Sequence, residues 1–596
     1  MKFQKSFSYV LFGVIGLLLG LIYFSRIYTD FLWFNSLDFS TVFITILQTK
    51  LALGIGSALG FFVLLYLNWR IIRNVLKNNE KELNKPILAL MPFFMLFISL
   101  IAGLIFSSQW SVLLKFFNAT QFGILDPVFG NDISFYVFEL PWYYTIIGFL
   151  LAIIVINLFI SLFVYLFKDL NIRFDRVENF KKVWDEEGLK SKKNIKLHLS
   201  SMTGVFFILT AVLIWLSQYS ILFSEAGVVF GAAYTDIHVT LPLRMILSVI
   251  SGIVGILFLL QWKIKNFRYP MIGIGILVLV LLFGSFAGFA VQQFQVEPDE
   301  YNTERPYIIR NINYTLQAFD LDTVSEIPFQ PNYNMSYQEL MRNNVTLENI
   351  RLWDYRALKD TYAQLQLIRS YYDFNDVDID RYYFTENGTQ KRFQVMLSPR
   401  ELNQMDLTEK AQTWVNQHLV YTHGYGLAMS PVNQKSEDGF PKLWIKDIPP
   451  KTKKNFDITR PEIYYGEKTD NFVIVKTNTE EFDYPKGGEN VYTTYNGSGG
   501  VNIAGFSRLA VALRFGSVPI LVSGSIDSES KIMFHRNIHE RVNELAPFLM
   551  YDSDPYMVTS EGKLYWIIDA YTTTDNFPYS ERFGLEQTNY IRNSVK

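Results

Sequence analysis

The sequence contains no cysteine among its 596 residues and only six histidines. The lack of cysteine excludes disulfide bonds, thiolate nucleophiles and zinc sites built on cysteine ligands. Known catalytic motifs are also missing, since there is no Gly-x-Ser-x-Gly nucleophile motif, no His-Glu-x-x-His zinc motif and no set of protein-kinase motifs. The sequence therefore indicates no enzyme class, and it predicts no organic cofactor.

Charged side chains and histidine are absent from seven long apolar segments. These segments are residues 7–24, 51–67, 87–110, 142–167, 200–222, 245–262 and 271–291. A helix rises ~1.5 Å per residue, so segments of this length predict helices that cross a hydrocarbon layer of ~30 Å. Buried charges in such helices are typical of proton relays and ion-coupled transporters, and their absence argues against that class. It leaves open a lipid-handling groove, which needs no buried charge.

The loops between these segments differ in positive charge. Lys and Arg number 19 in the N-terminus and in the alternate loops around residues 70–85, 168–196 and 263–268, against four on the other side. Loops rich in Lys and Arg stay in the cytoplasm. We therefore predict a multi-pass protein of the plasma membrane, with an uncleaved first segment, a cytoplasmic N-terminus and extracytoplasmic residues 292–596.

The composition changes after residue 291. Up to that residue Lys and Arg outnumber Asp and Glu by 23 to 15, whereas beyond it the acids outnumber the bases by 41 to 31. The acidic part is a poor candidate for binding nucleic acid. The predicted fold is a membrane all-α bundle of seven transmembrane helices over residues 1–291, followed by a large α+β extracytoplasmic domain over residues 292–596.

Local patterns after residue 291 predict both helices and strands. Asp354 is placed to cap a helix over residues 355–372, and Glu386-Asn-Gly388 is placed to join the strands 377–384 and 392–397 into a hairpin. Further predicted elements are helices over residues 408–421, 507–515 and 536–548, and strands over residues 472–477, 519–522 and 557–569.

One acidic stretch contains candidate metal ligands, Asp376, Asp378 and Asp380. Their density suggests calcium, but Arg381 stands where an EF-hand loop needs glycine, and Asn387 stands where it needs a bidentate glutamate. The alternation of acidic and apolar residues is more typical of a half-buried strand. Asp552-Ser-Asp554 is a similar and weaker candidate.

A second metal candidate is the pair His535 and His539. The two histidines are four residues apart on a predicted helix, which would place both on one face and in reach of one ion. No third ligand can be identified beside them. A structural role for both histidines is the simpler interpretation.

Aromatic and glycine residues suggest how the membrane part packs. The loops 30–34, 126–141 and 234–242 are rich in aromatic side chains, which is typical of an interfacial belt, of a contact surface for the outer domain, or of an entry for a lipid-like ligand. Glycine pairs with Gly-x-x-x-Gly spacing begin at Gly16, Gly56 and Gly284. Such pairs predict close helix contacts, within the bundle or in a dimer.

Several long motifs resemble those of a known family. They lie at residues 30–34, 126–141, 234–242, 305–308, 349–356, 413–426, 461–467, 481–485, 552–556 and 589–596. On these motifs the chain resembles the bacterial uncharacterised protein family 0182 over nearly its whole length. The resemblance implies an integral membrane protein with a large extracytoplasmic region and without an assigned biochemical role. Members continue past the last motif, so the sequence is expected to be truncated at its C-terminus.

Three functional hypotheses follow. The first is an envelope-facing binding or scaffolding protein, whose partner is an envelope protein or a lipid. The second is an extracytoplasmic envelope enzyme, assisted by a metal bound to the aspartates or histidines named above. The third is a conduit for a lipid or another hydrophobic solute through the charge-free helices.

Overall fold

The computed structural model describes residues 2–77, 85–167, 193–331, 333–386, 388–452, 457–584 and 587–595. Within these ranges seven helices are long and apolar enough to cross a membrane. They are called the first to the seventh membrane helix and span Lys2–Ser36, Ser40–Lys77, Lys85–Ser107, Leu140–Phe167, Lys193–Ser217, Leu241–Leu259 and Arg268–Val291. The prediction of a seven-helix part followed by an α+β part is confirmed at this level.

Most of each predicted apolar segment lies within one of these helices, and several helices are longer than the apolar segment. The second membrane helix, for example, continues beyond residue 67 through Arg70 and Arg73 to Lys77. Such charged ends are expected where a helix leaves an apolar layer, because long basic side chains reach back to polar surroundings. Most of the basic loop 168–196, on which the orientation prediction depends, lies outside the described residues.

Shorter helical segments connect and extend this set. The α-helices are Trp110–Phe117, Gln261–Ile264, Glu300–Ala318, Tyr337–Arg342, Asn344–Leu347, Tyr355–Gln366, Phe506–Phe515, Pro519–Val522 and Ile538–Leu545. The π-helical turns are Phe135–Glu139, Asp236–Thr240, Gln292–Val296 and Asn416–Val420, and the 3₁₀ turns are Gln218–Phe223, Glu297–Asp299, Gln404–Asp406 and Glu409–Ala411.

The strands follow residue 371. They are β1 (Tyr372–Asp373), β2 (Asp378–Glu386), β3 (Thr389–Pro399), β4 (Glu401–Leu402), β5 (Gly424–Tyr425), β6 (Leu427–Pro431), β7 (Ile445–Lys446), β8 (Lys451–Thr452), β9 (Glu462–Ile463), β10 (Val473–Val475), β11 (Glu481–Lys486), β12 (Glu489–Thr493), β13 (Val501–Asn502), β14 (Lys531–Met533), β15 (Met550–Tyr551), β16 (Tyr556–Ser560), β17 (Lys563–Ile567), β18 (Ala570–Thr574) and β19 (Tyr590–Val595). The largest sheet has the antiparallel order β2-β3-β6-β7-β8.

The chain forms two compact units, which divide it differently from the hydropathy boundary at residue 291. The β-rich unit comprises Met1–Ile44, Glu326–Thr572 and Asn593–Lys596, and the helical unit comprises Thr45–Ser325 and Thr573–Arg592. The first membrane helix thus belongs with the β-rich part, and a late segment belongs with the other six membrane helices. Hydropathy indicates where the chain enters an apolar layer, whereas side-chain packing decides which segments form a unit.

The end of the first membrane helix packs into the core of the β-rich unit. Trp33 and Phe34 are 3% and 4% exposed, and they share one apolar cluster with Leu419, Ile474 and Val511. Two large aromatic side chains bury ~150–250 Å² each, so this contact is a substantial apolar anchor. The aromatic loop predicted around residues 30–34 is therefore the helix end itself, buried in this unit.

In the helical unit the late segment 573–592 packs against the loops of the membrane helices. Tyr579 is fully buried, and its hydroxyl donates a hydrogen bond to the carbonyl of Ala232 at 3.1 Å. A Cβ at Gly231 would collide with the Tyr579 ring, and the φ of Gly231 is +117°, so this position requires glycine. The carboxamide of Asn311 donates to the carbonyls of Phe230 and Tyr579, which fixes three chain segments together.

The glycine pairs differ in how closely neighbouring residues pack against them. Gly284 lies against Leu243 so closely that a Cβ would collide with it, which agrees with packing inside this unit. Gly16, Gly56 and Gly60 have open space where a Cβ would be placed, so nothing in the described residues packs closely there.

Some local predictions are confirmed and others are wrong. The hairpin of β2 and β3 pairs Glu386 with Thr389, as the turn-forming sequence predicted. The predicted helix 355–372 starts at Tyr355 but ends at Gln366, since Ile368 has a φ of +66° that no helix can accommodate. The predicted strand 519–522 is a helical turn with proline at its first position.

The predicted helix 408–421 is wrong as a regular helix. The structure has a 3₁₀ turn at Glu409–Ala411 and a π-helical turn at Asn416–Val420. The Asn416 side chain donates a hydrogen bond to the carbonyl of Ala411, which competes with helix formation at this point.

Candidate functional site

Three carboxylates of the β-rich unit converge at one place. Asp378 begins β2, Asp376 lies two residues before it, and Asp554 lies in the loop before β16. Oxygens of all three side chains lie within 4.8 Å of one another. Two oxygens bound to one Ca²⁺ at ~2.4 Å can be at most ~4.8 Å apart, so the three groups are within reach of a single ion.

Backbone contacts fix two of the three aspartates. The amide of Met557, in β16, donates a hydrogen bond to Asp378 Oδ2 at 3.2 Å. The amide of Asp554 donates to Asp552 Oδ1 at 3.1 Å, which closes the turn that carries Asp554. The contact between β2 and β16 therefore brings together side chains that are far apart in the sequence.

A fourth carboxylate, Glu467, stands beside this group on a braced loop. The buried carboxylate of Glu401 accepts hydrogen bonds from the backbone amides of Glu467 and Lys468, both at 2.9 Å. A Cβ at Gly466 would collide with the Glu401 carboxylate, so the loop can approach this closely only with glycine there. The Lys468 ammonium forms an ion pair with Asp373.

The electrostatics of the site favour an added positive charge. Burial, together with the charges of Asp554, Asp376 and Glu467, raises the pKa of Asp378 to about 7. Burial and the charges of Glu401, Asp376 and Asp554 raise the pKa of Glu467 to about 7 as well. The pKa of Asp554 is also raised, first by burial and then by Asp376 and Asp552. Protons or a cation must offset this repulsion at neutral pH.

The chemistry of the donors selects a class of ion. All the converging atoms are carboxylate oxygens, which suit hard cations such as Ca²⁺, Mg²⁺ and Mn²⁺. The site differs from an EF-hand because its ligands come from two distant segments instead of one loop. The mismatch at Arg381 that counted against an EF-hand therefore does not count against this arrangement, and Asn387 lies outside the described residues.

Asp380 is not part of this group. Its carboxylate accepts a hydrogen bond from the amide of Arg381 at 2.7 Å. Of the aspartates singled out in the sequence, the structure thus brings together Asp376, Asp378 and the weaker candidate Asp554.

The two histidines do not form a pair on one helix face. The helix begins at Ile538, so His535 precedes it, with a φ of +48°. His535 Nδ1 lies 2.7 Å from Glu540 Oε1, whereas His539 Nε2 lies 3.2 Å from the carbonyl oxygen of Ser553. The prediction of a shared helical face is wrong because Asn537, and not a residue before His535, caps the helix.

A polar cavity adjoins the site. It has a volume of about 510 Å³, and its wall includes Gln404, Glu467, Lys468, Asn471 and Arg536. This volume is within the ~300–1,000 Å³ of small-molecule sites. Because Glu467 belongs both to the cavity wall and to the charge cluster of the aspartates, a cation at the aspartates would alter the charge of this cavity.

The sequence alone indicates neither Glu467 nor the convergence of the three aspartates. Glu467 ends the motif 461–467, and Asp554 lies in the motif 552–556, which are two of the segments that carry the family resemblance. Their presence in such motifs was the available signal. No local spacing rule connects either residue to Asp378, since β-sheet contacts between distant segments bring them together.

The comparisons with known proteins decide the family. The Uncharacterised protein family (UPF0182) matches residues 7–596. A UPF0182 protein of Methanospirillum hungatei is 43% identical over 579 residues, which cover 95% of this chain and 64% of the relative. The chain belongs to the UPF0182 family.

Other UPF0182 relatives are similarly close. The protein of Pelotomaculum thermopropionicum is 42% identical and that of Trichodesmium erythraeum is 40% identical, and both alignments cover 100% of this chain. The chain spans about two thirds of the length of these relatives, 66% and 67% respectively. No solved structure matches the chain. Membership in UPF0182 confirms the resemblance and assigns no activity, so the site has to be interpreted from its own geometry.

Proposed function

We propose that this UPF0182 chain is an envelope-facing binding protein of the plasma membrane, and that its β-rich unit binds a divalent cation. The ligands are Asp376, Asp378 and Asp554, with Glu467 as the adjacent fourth carboxylate. The observation that carries the proposal is the convergence of three carboxylates from two distant segments within 4.8 Å. Like charges so close repel each other, and such an arrangement is stabilised when a cation binds between them.

Ca²⁺ is the ion best suited to this site. It accepts irregular sets of six to eight oxygen ligands, whereas Mg²⁺ requires a nearly ideal octahedron. The basic loops of the membrane part support an extracytoplasmic β-rich unit. Calcium sites of extracellular modules have dissociation constants of ~10⁻⁴–10⁻³ M, and we expect a value in that range here.

The bound cation has a structural consequence. It connects the start of β2, which carries Asp378, with the loop that carries Asp554, and it offsets the aspartate charges that raise the pKa of Glu467, so that Glu467 in the wall of the polar cavity ionises more readily. Cation binding would therefore set both the shape and the charge of the surface offered to an envelope partner. We expect the envelope partner to be a cationic or hydrogen-bonding ligand that fits a cavity of about 510 Å³.

The test is a titration of the purified full chain in detergent, after treatment with chelator, with Ca²⁺ and separately with Mg²⁺. Thermal unfolding should shift upward, because ligand at 100 times its dissociation constant adds about 2.7 kcal/mol to stability. At roughly 2–4 °C per kcal/mol, the expected shift is several degrees. Mg²⁺ should shift the midpoint less than Ca²⁺.

Two variants make this test specific. The double variant Asp378→Asn and Asp554→Asn should abolish the shift, because it removes two of the three charged ligands. The matched control is Asp380→Asn, which changes an aspartate of the same strand outside the cluster. A shift of equal size in all three proteins, or the absence of any shift in the unaltered chain at 10 mM Ca²⁺, contradicts the proposal.

A further inference from the structure

The helical unit contains an open apolar groove along three membrane helices. Its volume is about 430 Å³. Phe61 of the second helix lies at its floor, the third helix contributes one wall with Ile98 and Ile105, and the fourth helix contributes the other wall with Phe149 and Ile156. Phe61 is 1% exposed, whereas Ile105 is 66% exposed at the rim. The groove therefore runs inward from the apolar surface of these helices.

Small residues keep this groove open. Ala102 on the third helix and Gly148 and Ala152 on the fourth belong to its wall. Small residues normally allow two membrane helices to touch. Here a Cβ built at Gly148 would have no atom within 4 Å, whereas at Gly103, one residue further along the third helix, it would collide with Ala58 of the second helix. The third helix thus packs closely on the second and leaves a space towards the fourth.

One end of the groove is polar. The third helix ends at Ser107 and the fourth begins at Leu140, so Gln109 and Tyr144, which both line the groove, lie at the same end. The ring of Trp110 follows directly, and the Lys50 ammonium lies 5.4 Å from its centroid. This end combines hydrogen-bonding groups, an indole and a positive charge, which is the set of groups found where a membrane helix meets lipid headgroups.

We propose that the groove binds one acyl chain of an anionic phospholipid, whose phosphate group lies at Lys50 and Gln109. The hydrocarbon that surrounds these helices supplies the apolar ligand, and an open groove of this depth cannot hold water favourably because its wall is almost entirely apolar. The cation at the polar end is complementary to phosphate. The acyl chain thereby fills the space between the third and fourth membrane helices, beside their direct contact at Phe106 and Phe149, whose ring centroids are 4.4 Å apart.

The test uses the full chain in vesicles of phosphatidylcholine that contain a small fraction of phosphatidylglycerol with a photoreactive group in its acyl chain. After irradiation, crosslinked peptides are mapped by mass spectrometry. Crosslinks should concentrate in the third and fourth membrane helices, on the residues that line the groove. Crosslinks distributed evenly over the exposed faces of all membrane helices overturn the proposal.

Gly148→Phe directs a ring into the groove from its wall, and the added Cβ meets no atom within 4 Å. It should reduce the groove crosslinks at least fivefold. The matched control is Gly275→Phe, since Gly275 also has open space and lies on the exposed face of the seventh helix. Ile105→Trp narrows the groove from its rim and provides a second variant if Gly148→Phe lowers the yield of folded protein. Equal crosslinking in Gly148→Phe, Ile105→Trp and Gly275→Phe contradicts the proposal.

A second pair of variants tests the headgroup. Lys50→Gln should remove the preference for phosphatidylglycerol over an equally photoreactive phosphatidylcholine, while crosslinks from the acyl chain remain in the groove. Lys115→Gln is the control, since Lys115 does not line the groove, whereas Lys50 is placed at its polar end by the contact with Trp110. An unchanged preference in Lys50→Gln contradicts the assignment of the phosphate to this end.

Discussion

Buried polar groups are of different kinds in the β-rich unit and in the membrane helices; the helical unit also buries the carboxylates of Asp126, Asp236 and Glu304, but outside those helices. In the β-rich unit several are charged: Arg400, Glu401 and Arg536 are at most 2% exposed. Among the described residues of the membrane helices, the buried polar side chains are neutral, such as Asn68 and Asn157, which are 6% and 2% exposed. Water cannot enter a lipid bilayer to solvate a charge, so a protein there uses neutral groups that neighbouring helices can satisfy.

Charged side chains have two different roles within the β-rich unit. Arg536 donates hydrogen bonds to the carbonyls of Tyr464, Asn471 and Thr422, and Glu401 accepts two backbone amides. These charges are compensated by the backbone and serve the structure. The carboxylates of Asp376, Asp378 and Asp554 face one another instead. This difference identifies the aspartates, and not the more deeply buried ions, as the candidate binding site.

The largest loss of stability is expected when a buried charge that backbone groups compensate is removed. Arg536→Met should destabilise the β-rich unit by about 3 kcal/mol or more, because three backbone carbonyls lose a buried charged donor. The measurement is the thermal midpoint of the purified chain, followed by limited proteolysis that reports on this unit. Arg356→Met is the control, since the Arg356 side chain is 75% exposed. If both variants lose the same stability, Arg536 does not have the structural role given to it here.

The second effect depends on pH, because Asp378 and Asp554 have raised pKa values. Without a cation, the folded protein holds a proton on Asp378 up to pH about 7, whereas the unfolded chain releases it near pH ~4. This group therefore stabilises the fold at low pH, and that contribution is lost as the pH rises from ~4 to about 7. Ca²⁺ should replace the proton, so the stabilisation by Ca²⁺ should be large at pH 8 and small at pH 5.

Thermal unfolding with and without Ca²⁺ at pH 5 and pH 8 measures this dependence. Asp378→Asn should flatten the pH profile of the cation-free protein and remove the response to Ca²⁺, while Asp380→Asn should keep both. The raised pKa of Asp378 would be contradicted if, without a cation, the thermal midpoint rose between pH 5 and pH 7 by more in the unaltered chain than in Asp378→Asn.

Several of the features behind these predictions could be read from the sequence alone. The seven membrane helices were predictable because a charge-free segment of sufficient length has few alternatives in a membrane. The hairpin of β2 and β3 was predictable for a similar reason, since Asn-Gly specifies the turn locally. Asp376 and Asp378 were visible as a dense acidic stretch.

The partners of these residues were not predictable. Glu467 and Asp554 reach the site through contacts between β2, β16 and the loop braced by Glu401, and no spacing rule describes such contacts. The same holds for Trp33, whose burial with Leu419 assigns the first membrane helix to the β-rich unit. The left-handed backbone of His535, with a φ of +48°, likewise follows from tertiary packing. Because of it, His535 and His539 do not share one helix, contrary to the prediction.

The smallest effect should come from the neutral groups of the membrane helices. Asn68 Nδ2 donates to the carbonyl of Asn157 at 3.3 Å, and Asn68 Oδ1 accepts from Ser161 at 3.1 Å. Interhelical hydrogen bonds in membranes contribute only ~0.6 kcal/mol on average and at most ~1.7 kcal/mol, because the polar groups find other partners when the bond is lost. Asn68→Leu should therefore cost about 1 kcal/mol, well below the loss in Arg536→Met.

Ser201→Ala is the matched control for Asn68→Leu, because the exposed Ser201 hydroxyl donates a hydrogen bond to the carbonyl of Leu197 in its own helix. Unfolding of the purified chain by increasing sodium dodecyl sulfate measures both variants on one scale. A loss in Asn68→Leu as large as that in Arg536→Met would mean that this neutral network is as costly to disrupt as a buried charge. The β-rich unit and the membrane helices would then differ in the number of their polar contacts, and not in whether their surroundings can solvate a charge.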